Sequence, residues 1–240
     1  MPRHAQLNNI DHRDLRVATG RGAAWGDDEM SALTFPREFR DVQSCYPIVF
    51  RKNADGSVQP LALFGFRQGQ NLFLNEHGVG ADGWDAHYVP LAVERQPFLI
   101  GLSADGEPMM HIDLDHPRVG RELGEALFRT HGGTTDYLDR MSSTLLALHE
   151  GMRATQAFVD ALLRHDLLES FVLDIETDDG AQHRLAGFHT VHEERLAALA
   201  ADAVADLHRA GHLEAIYFAI ASLSNFRDLI ERARRAQAHA

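Results

Sequence analysis

Two groups of residues in this sequence could support chemistry, and the first lies between His111 and Asp115. His111, Asp113 and Asp115 alternate along a predicted strand, so all three should lie on one face of a sheet. A histidine and a carboxylate there, joined by a distant histidine such as His183 or His189, would match the two-histidine, one-carboxylate site that binds Fe(II) in non-haem oxygenases. His111 and Asp113 therefore define one hypothesis, a metal-dependent oxygenase.

The composition weakens this hypothesis. The chain has 15 histidines and 35 acidic residues among 240, so chance alone supplies about two histidines with an acid two positions later. The sequence contains four such pairs, at His12, His111, His192 and His212. No cofactor is predicted apart from Fe(II) in the oxygenase hypothesis.

The second group lies in the segment 84–99, which combines aromatic residues, two prolines and an arginine. Tryptophan, tyrosine and arginine are the side chains that most often anchor binding sites. We therefore predict that Trp84, His87, Tyr88 and Arg95 bind a ligand, although aromatic residues that simply fill the core are a competing interpretation. No spacing in the segment pairs a nucleophile with a base, so whether the protein is an enzyme stays open.

The chain has a single cysteine, Cys45, which excludes an intramolecular disulfide framework and a multi-cysteine zinc site. Cys45 lies between Ser44 and Tyr46 at the start of an apolar run. Such a position favours a small buried hydrophobic residue over a catalytic nucleophile.

The charge and hydropathy of the chain restrict the classes of partner that the protein could bind. The formal net charge is -12, which argues against binding to nucleic acid or to an anionic membrane surface, because both require a basic face. No apolar run approaches the roughly 18 residues of a membrane span, so no membrane insertion is expected and the protein is predicted to be cytoplasmic. The expected partner is a protein or a small-molecule ligand, and a homo-oligomer is left open.

The elements that must position these residues change type along the chain. Residues 1–40 are predicted to form an irregular arm, residues 41–117 a β-rich half and residues 118–240 a mainly helical half, together making one compact domain. β-rich runs separated by turn-forming residues predict strands, at 46–50, 61–66, 72–74, 88–93, 98–102 and 109–114.

The second half shows helical spacing of its apolar residues. Helices are predicted at 119–127, at 138–148 with Thr134 or Thr135 as its cap, at 155–168, at 190–207 and at 213–234. Gly151 should end the second of these helices. Ser222, Ser224 and Asn225 interrupt the last helix, where they face solvent, hydrogen-bond to the preceding turn or mark a break, with a ligand contact as the alternative. Runs at 171–175 and 183–188 flank Asp178–Gly180 and predict a β-hairpin. The fold class is therefore α+β, with an N-terminal antiparallel sheet packed against a mostly helical C-terminal half that contains a second hairpin.

The order of several short motifs resembles the SapC-like family of bacterial proteins, from about Leu7 to near the end of the chain. The motifs that carry the resemblance are Tyr46–Phe50, Leu63–Phe66, Asn71–Leu74, Trp84 with Tyr88–Pro90, Pro97–Phe98, Thr155 with Phe158, Leu167–Leu168, Leu185–Phe188 and Ser222–Asn225. The chain departs from the family before Pro97. Relatives often carry consecutive basic residues and a tyrosine there, whereas this chain has Glu94, Arg95 and Gln96.

The resemblance implies a role but no reaction. The family name records an association with bacterial surface-layer genes, and its members look like companions of outer-membrane receptors, tryptophan-halogenase-like flavoproteins and cupin-like oxygenases. It therefore implies an accessory protein that binds a ligand or another protein and is linked to cell-surface or outer-membrane uptake systems.

Overall fold

The structure, a computed structural model, describes residues 3–74, 83–103, 105–176 and 182–238. It confirms the α+β class, with antiparallel strands in three sheets and helices concentrated in the C-terminal part. Two compact units divide the chain. The first unit comprises residues 1–27, 74–85 and 91–150, and the second comprises residues 28–73, 86–90 and 151–240. The predicted division at residues 40 and 117 stays a prediction.

The strands are short except for one long hairpin. They are β1 (His4–Gln6), β2 (Arg16–Val17), β3 (Ser31–Leu33), β4 (Ile48–Lys52), β5 (Val58–Leu63), β6 (Phe98–Leu102), β7 (Pro108–Asp113), β8 (Val119–Gly120), β9 (Glu125–Ala126), β10 (Leu168–Glu176) and β11 (Gln182–Val191). The α-helices are α1 (Phe39–Val42), α2 (Leu91–Glu94), α3 (Asp136–Arg164), α4 (Glu193–Ala197), α5 (Ala201–Arg209), α6 (His212–Ser222) and α7 (Phe226–Ala238).

The first unit contains two three-stranded antiparallel sheets, with strand orders β1-β7-β6 and β8-β2-β9. Phe98 of β6 and Ile112 of β7 lie opposite each other and are fully buried. Their neighbours in the core come from β2, from the residues after β9 and from the first half of α3. These buried residues are Val17, Leu127, Tyr137, Leu138, Met141 and Leu145. Residues 1–40, which the sequence predicts to be an irregular arm, contain the strands β1, β2 and β3. These strands form because each pairs with a strand from later in the chain.

The second unit is built on one five-stranded antiparallel sheet in the order β10-β11-β4-β5-β3. The predicted hairpin at 171–188 is confirmed as β10 and β11, and its turn at Asp178–Gly180 lies outside the described residues. The hairpin does not stand alone, since Phe188 and His189 pair with Arg51 and Phe50 of β4. Distant parts of the chain therefore share one sheet.

The helix predicted to end at Gly151 runs through it. α3 is one continuous helix of 29 residues, and Thr135 caps its start by accepting a hydrogen bond from the amide of Leu138 (3.3 Å). A Cβ atom added at Gly151 would lie 2.2 Å from Cδ2 of Phe35, whose side chain is buried. The glycine therefore serves a close approach between the helix and an aromatic ring, and it does not end the helix.

Gly151→Ala is expected to lower the free energy of unfolding by about 1–2 kcal/mol, because overpacking against Phe35 outweighs the gain in helix propensity. Ala154→Gly is the matched variant, since Ala154 lies in the same helix and is exposed. That exchange reports helix propensity alone and should cost about 1 kcal/mol. Urea unfolding followed by far-ultraviolet circular dichroism measures both, and a more stable Gly151→Ala variant would contradict the close approach.

The helix predicted at 119–127 is wrong. Val119 and Leu127 have helical spacing, but β8 and β9 form there and pair with the two sides of β2. Gly124 explains the difference, because its φ is 94° and an added Cβ would lie 2.0 Å from the carbonyl oxygen of Val17. Only glycine permits that left-handed backbone at such close approach.

Three further predicted elements differ from the structure. The strand predicted at 88–93 is wrong, because α2 begins after Pro90, which has no N–H to donate to a sheet. The strand predicted at 72–74 is reduced to one bridge between Leu74 and Trp84. The helix predicted from Thr190 begins at Glu193, because β10 and β11 stay paired as far as Val191, and it breaks between α4 and α5.

The polar residues 222–225 mark a break between α6 and α7, as one interpretation of the sequence expects. A single 3-10 turn, Leu223–Asn225, joins the two helices. The buried hydroxyl of Ser222 accepts the amide N–H of Ile48 (2.9 Å) and donates to the carbonyl of Ala219 (2.6 Å). The side-chain amide of Asn225 donates to the carbonyl of Gln43 (2.7 Å). These bonds give the segment a structural role.

Candidate functional site

A buried ion pair joins Asp27 and Arg118 in the first unit. Nη2 of Arg118 donates to Oδ2 of Asp27 over 2.6 Å, and the two side chains are only 1% and 0% exposed. Nη1 of Arg118 donates to the backbone carbonyls of Ala18 and Gly20. Two charges removed from water are tolerated only when they are paired and further hydrogen-bonded. Arg118 thus holds the segment that runs from Ala18 to Asp27.

Arg21 and Glu94 extend this network. Nη1 of Arg21 lies 3.7 Å from Oδ1 of Asp27, and Nη2 of Arg21 pairs with the carboxylate of Glu94. The backbone amide of Gly22 donates to the oxygen of Asp27 that also receives Arg118. Two guanidinium groups and two carboxylates therefore balance in charge and fix the chain on either side of a short 3-10 helix, Ala23–Trp25.

A cavity of about 320 Å³ lies beside this network within the first unit. Its walls combine the indole of Trp25 with apolar side chains, the backbone around β8 and charged residues. The lining residues are Ala18, Trp25, Pro117, Arg118, Val119, Gly120, Arg121, Glu122 and Leu123. Nε of Arg118 is buried and has no hydrogen-bond partner among the residues that the structure describes. Burial lowers the pKa of Arg118, while Asp27 raises it.

Arg95, one of the predicted ligand-binding residues, belongs to the same polar region. Its Nη1 donates to the carbonyl of Phe98 over 2.6 Å, and burial lowers its pKa. The same charges act on His116. Burial lowers its pKa most, the charge of Arg118 lowers it further, and Arg95 makes a smaller contribution in the same direction. Arg95 therefore contributes positive charge to the region around Arg118.

Trp84 also lies in the first unit, but its side chain is buried. Its backbone bridges to Leu74. This placement agrees with the competing interpretation, in which the tryptophan fills the core.

His87 and Tyr88 belong to the second unit. The hydroxyl of Tyr88 donates to Oε1 of Glu38 (2.9 Å), and the hydroxyl of Thr34 donates to Oε2 of the same carboxylate (2.7 Å). Burial raises the pKa of Tyr88, and the charge of Glu38 raises it further. The hydroxyl of Tyr46 donates to the backbone carbonyl of Tyr88, so the residues around Tyr88 are held at several points.

The four predicted ligand-binding residues are therefore divided between the units. Trp84 and Arg95 lie in the first, and His87 and Tyr88 lie in the second. Within its own unit each pair has the contacts given above. That all four bind one ligand stays a prediction.

His111 and Asp113 share one face of β7, as alternation predicts. The imidazole of His111 packs against Gly101, where an added Cβ would lie 2.2 Å from its Cε1. Asp113 accepts the backbone amide of Asp115 (3.1 Å) and lies 3.8 Å from Nε2 of His4. Among the described residues, no group of three or more histidine, cysteine or acidic side chains could hold a metal ion. The oxygenase therefore stays a hypothesis.

The pairing of Asp27 with Arg118 could not be found from the sequence. Asp27 stands in an acidic run after a glycine-rich stretch, which resembles an exposed loop. Its partner lies 91 residues later, and no local pattern links the two. The one available signal is Trp25, a large apolar residue inside that stretch.

One comparison with known proteins identifies the family. The SapC family model matches residues 7–229 of the 240-residue chain. The chain belongs to the SapC family. No curated protein and no solved structure matches it. The matched SapC region includes the cavity and all four predicted ligand-binding residues. Over the described parts of this SapC protein, none of the helices has both the length and the apolar character needed to span a membrane.

Proposed function

We propose that this SapC protein is an accessory protein that binds a small molecule in the cavity between Trp25 and Arg118. The observation that carries the proposal is a cavity lined by a buried arginine, Arg118, whose guanidinium is paired with Asp27. Its volume of about 320 Å³ lies at the lower end of the range for small-ligand sites. Mostly apolar walls with a few fixed polar groups are typical of such sites.

The charged network prepares the cavity in advance. Asp27 and two backbone carbonyls fix the guanidinium of Arg118, so a ligand would not have to order it. A fixed positive charge beside an aromatic wall favours a ligand that carries a negatively charged oxygen on a planar apolar body. The lining contains two arginines, Arg118 and Arg121, and one carboxylate, Glu122, and this excess of positive charge favours a carboxylate ligand.

The proposed biological role follows the family resemblance. A SapC protein of this kind would serve a cell-surface or outer-membrane uptake system, and the cavity would recognise the small molecule that this system handles. The predicted residue Arg95 would support the cavity electrostatically, through the charges around His116 and Arg118.

Benzoate is a suitable probe, because it combines an aromatic ring with a carboxylate. In a Trp84→Phe background, Trp25 is the only tryptophan, and its fluorescence should change saturably with benzoate at millimolar affinity, on the order of 0.4 kcal/mol per heavy atom. Leu123→Ser should weaken binding about 3- to 10-fold, since Leu123 lines the cavity and apolar contact is lost.

Leu102→Ser is the matched control. Leu102 lies in the same unit, is 64% exposed where Leu123 is 72% exposed, and does not line the cavity. It should leave the benzoate affinity unchanged. Absence of saturable binding, or equal effects of the two serine variants, would contradict the proposal. One equivalent of iron per chain, lost on His111→Ala, would favour the oxygenase instead.

A further inference from the structure

We propose that a second cavity of the first unit, the arginine cavity, binds a small molecule through its phosphate groups. The cavity has a volume of about 280 Å³. Its lining contains four arginines and one acidic residue, which are Arg13, Arg16, Arg121, Arg129 and Asp14. It shares only Arg121 with the cavity between Trp25 and Arg118, so the proposal does not depend on ligand binding there.

The positive charge of the arginine cavity contrasts with the composition of the chain. Lysine and arginine make up 23 of 240 residues and the net charge is -12, so chance places about one basic residue among the nine that line the cavity. Arg129 donates to the carboxylate of Asp136 over 2.7 Å. Among the residues that the structure describes, none of the other three arginines pairs with a carboxylate. The cavity therefore has an excess of positive charge that an anion would balance.

The sheet β8-β2-β9 leaves space beside one of these arginines. Arg16 lies on the central strand β2, opposite Gly120 of β8 on one side and Ala126 of β9 on the other. Opposed residues of antiparallel strands lie on the same face, about 5 Å apart, so both neighbours of Arg16 on this face are too small to cover its side chain. A Cβ atom added at Gly120 would meet no atom within 4 Å. The pairing register thus keeps the face around Arg16 open.

Backbone carbonyls hold two of the arginines without neutralising their charge. Nη2 of Arg13 donates to the carbonyl of Thr130 (3.0 Å), and Nη1 of Arg16 donates to the carbonyl of Gly124 (2.6 Å). A guanidinium has five N–H donors, so one bond to a carbonyl leaves the others for a ligand. Side chains that are ordered before binding lose less conformational entropy when the ligand arrives.

The chemistry of these groups favours phosphate over a carboxylate. The planar fork of a guanidinium matches two phosphate oxygens. A phosphate monoester carries about 1.5 to 2 negative charges at pH 7, whereas a single carboxylate carries one and would leave most of the excess unbalanced. Phe128 also lines the cavity and is only partly buried, which offers an apolar surface to the rest of the molecule. The net charge of -12 disfavours a nucleic-acid backbone as the ligand.

Calorimetric titration of the full chain with pyrophosphate, in a buffer without divalent cations, tests the proposal. We expect one saturable site with a dissociation constant on the order of 0.1–1 mM, which weakens as the salt concentration is raised. Absence of saturable binding up to about 10 mM would overturn the proposal. Displacement of pyrophosphate by an equal concentration of acetate would overturn the preference for phosphate.

Two variants with equal changes of charge test whether the arginine cavity is the site. Arg16→Gln removes a lining cation and should weaken pyrophosphate binding about 10-fold. Arg3→Gln is the matched control, because Arg3 lies in the same unit, is exposed and does not line the cavity. It should change the affinity less than about 2-fold. Equal effects of the two variants would overturn the proposal, since they would indicate general attraction to the protein surface.

Asp14→Asn tests the same site by a gain of affinity, which loss of folding could not produce. It removes the one acidic residue of the lining and should tighten pyrophosphate binding about 3-fold. An unchanged or weaker affinity would contradict the placement of the anion beside Asp14.

Two further measurements separate this site from its alternatives. Leu123→Ser should leave the pyrophosphate affinity unchanged and Arg16→Gln should leave the benzoate affinity unchanged, because neither residue lines the other cavity. A failure of either cavity to bind its probe is therefore seen independently of the other. A single-stranded DNA oligonucleotide that displaces pyrophosphate at an equal concentration of phosphate groups would overturn the assignment to a small molecule.

Discussion

Asp27→Ala is expected to lower the free energy of unfolding of the first unit by about 3–5 kcal/mol, because it leaves the guanidinium of Arg118 buried without its carboxylate. Both side chains are almost fully buried, so water cannot replace the lost partner. The two tryptophans of the chain, Trp25 and Trp84, lie in the first unit. Urea unfolding followed by tryptophan fluorescence therefore reports on this unit.

An exposed ion pair of the same unit supplies the control. Arg129 and Asp136 are 60% and 85% exposed, and Arg129→Ala should cost less than about 1 kcal/mol. The double variant Asp27→Ala/Arg118→Met removes the stranded charge and should recover part of the loss. Equal costs for Asp27→Ala and Arg129→Ala would show that the Asp27–Arg118 pair is not buried in solution.

Glu38→Ala is expected to cost about 2–3 kcal/mol in the second unit, because its carboxylate accepts hydrogen bonds from both Thr34 and Tyr88. Thr34 is fully buried, and its hydroxyl would lose the acceptor that it now has. Thermal unfolding followed by far-ultraviolet circular dichroism measures the change. Hydrogen exchange of residues 86–90 should also speed up, since Tyr88 anchors that segment.

Two variants frame the result for Glu38. Glu38→Gln keeps one acceptor oxygen and should cost less than the alanine variant. Glu29→Ala removes an exposed carboxylate that accepts only from Gln68 among the contacts described, and it should change stability by less than about 0.5 kcal/mol. A Glu38→Ala protein as stable as Glu29→Ala would contradict the buried hydrogen bonds of Tyr88.

Local patterns predicted the elements whose partners lie nearby in the sequence. The strand at 98–102 agrees residue for residue with β6, and the hairpin formed by β10 and β11 follows from two β-rich runs around one turn. The residue types also predict a cap for α3 at Thr134 or Thr135, and Thr135 is the one that caps it. In each case the partner is the next strand along the chain or, for the cap, the first turn of the same helix.

Elements decided by distant contacts were not predictable. Gly151 is a helix-ending residue by type, but the ring of Phe35 requires a glycine inside α3. The spacing of Val119 and Leu127 is helical, but this region forms β8 and β9, which pair with the two edges of β2. Hydrophobic periodicity describes one segment at a time, so it cannot register a partner elsewhere in the chain.

The candidate sites follow the same rule. The residue types of His87 and Tyr88 predict that they could act in a site. Their partners could not be predicted, because His87 contacts Cys45 and Tyr88 contacts Glu38, in segments about 40 to 50 residues away. The network of Asp27 and Arg118 spans an even longer separation. Residue types thus indicated which side chains could act, while the fold determined with which partners.

The pairing of β11 with β4 determines when the second unit can fold during synthesis. On the ribosome, residues 48–63 emerge early, but the strand that covers the open edge of β4 is complete only after Val191 has been synthesised. Until then the apolar strand β4 has one edge unpaired, and an exposed apolar edge of this kind is prone to pair with another chain. The first unit contains no residue beyond 150, so all of its residues have been synthesised while the second unit still lacks its last strands.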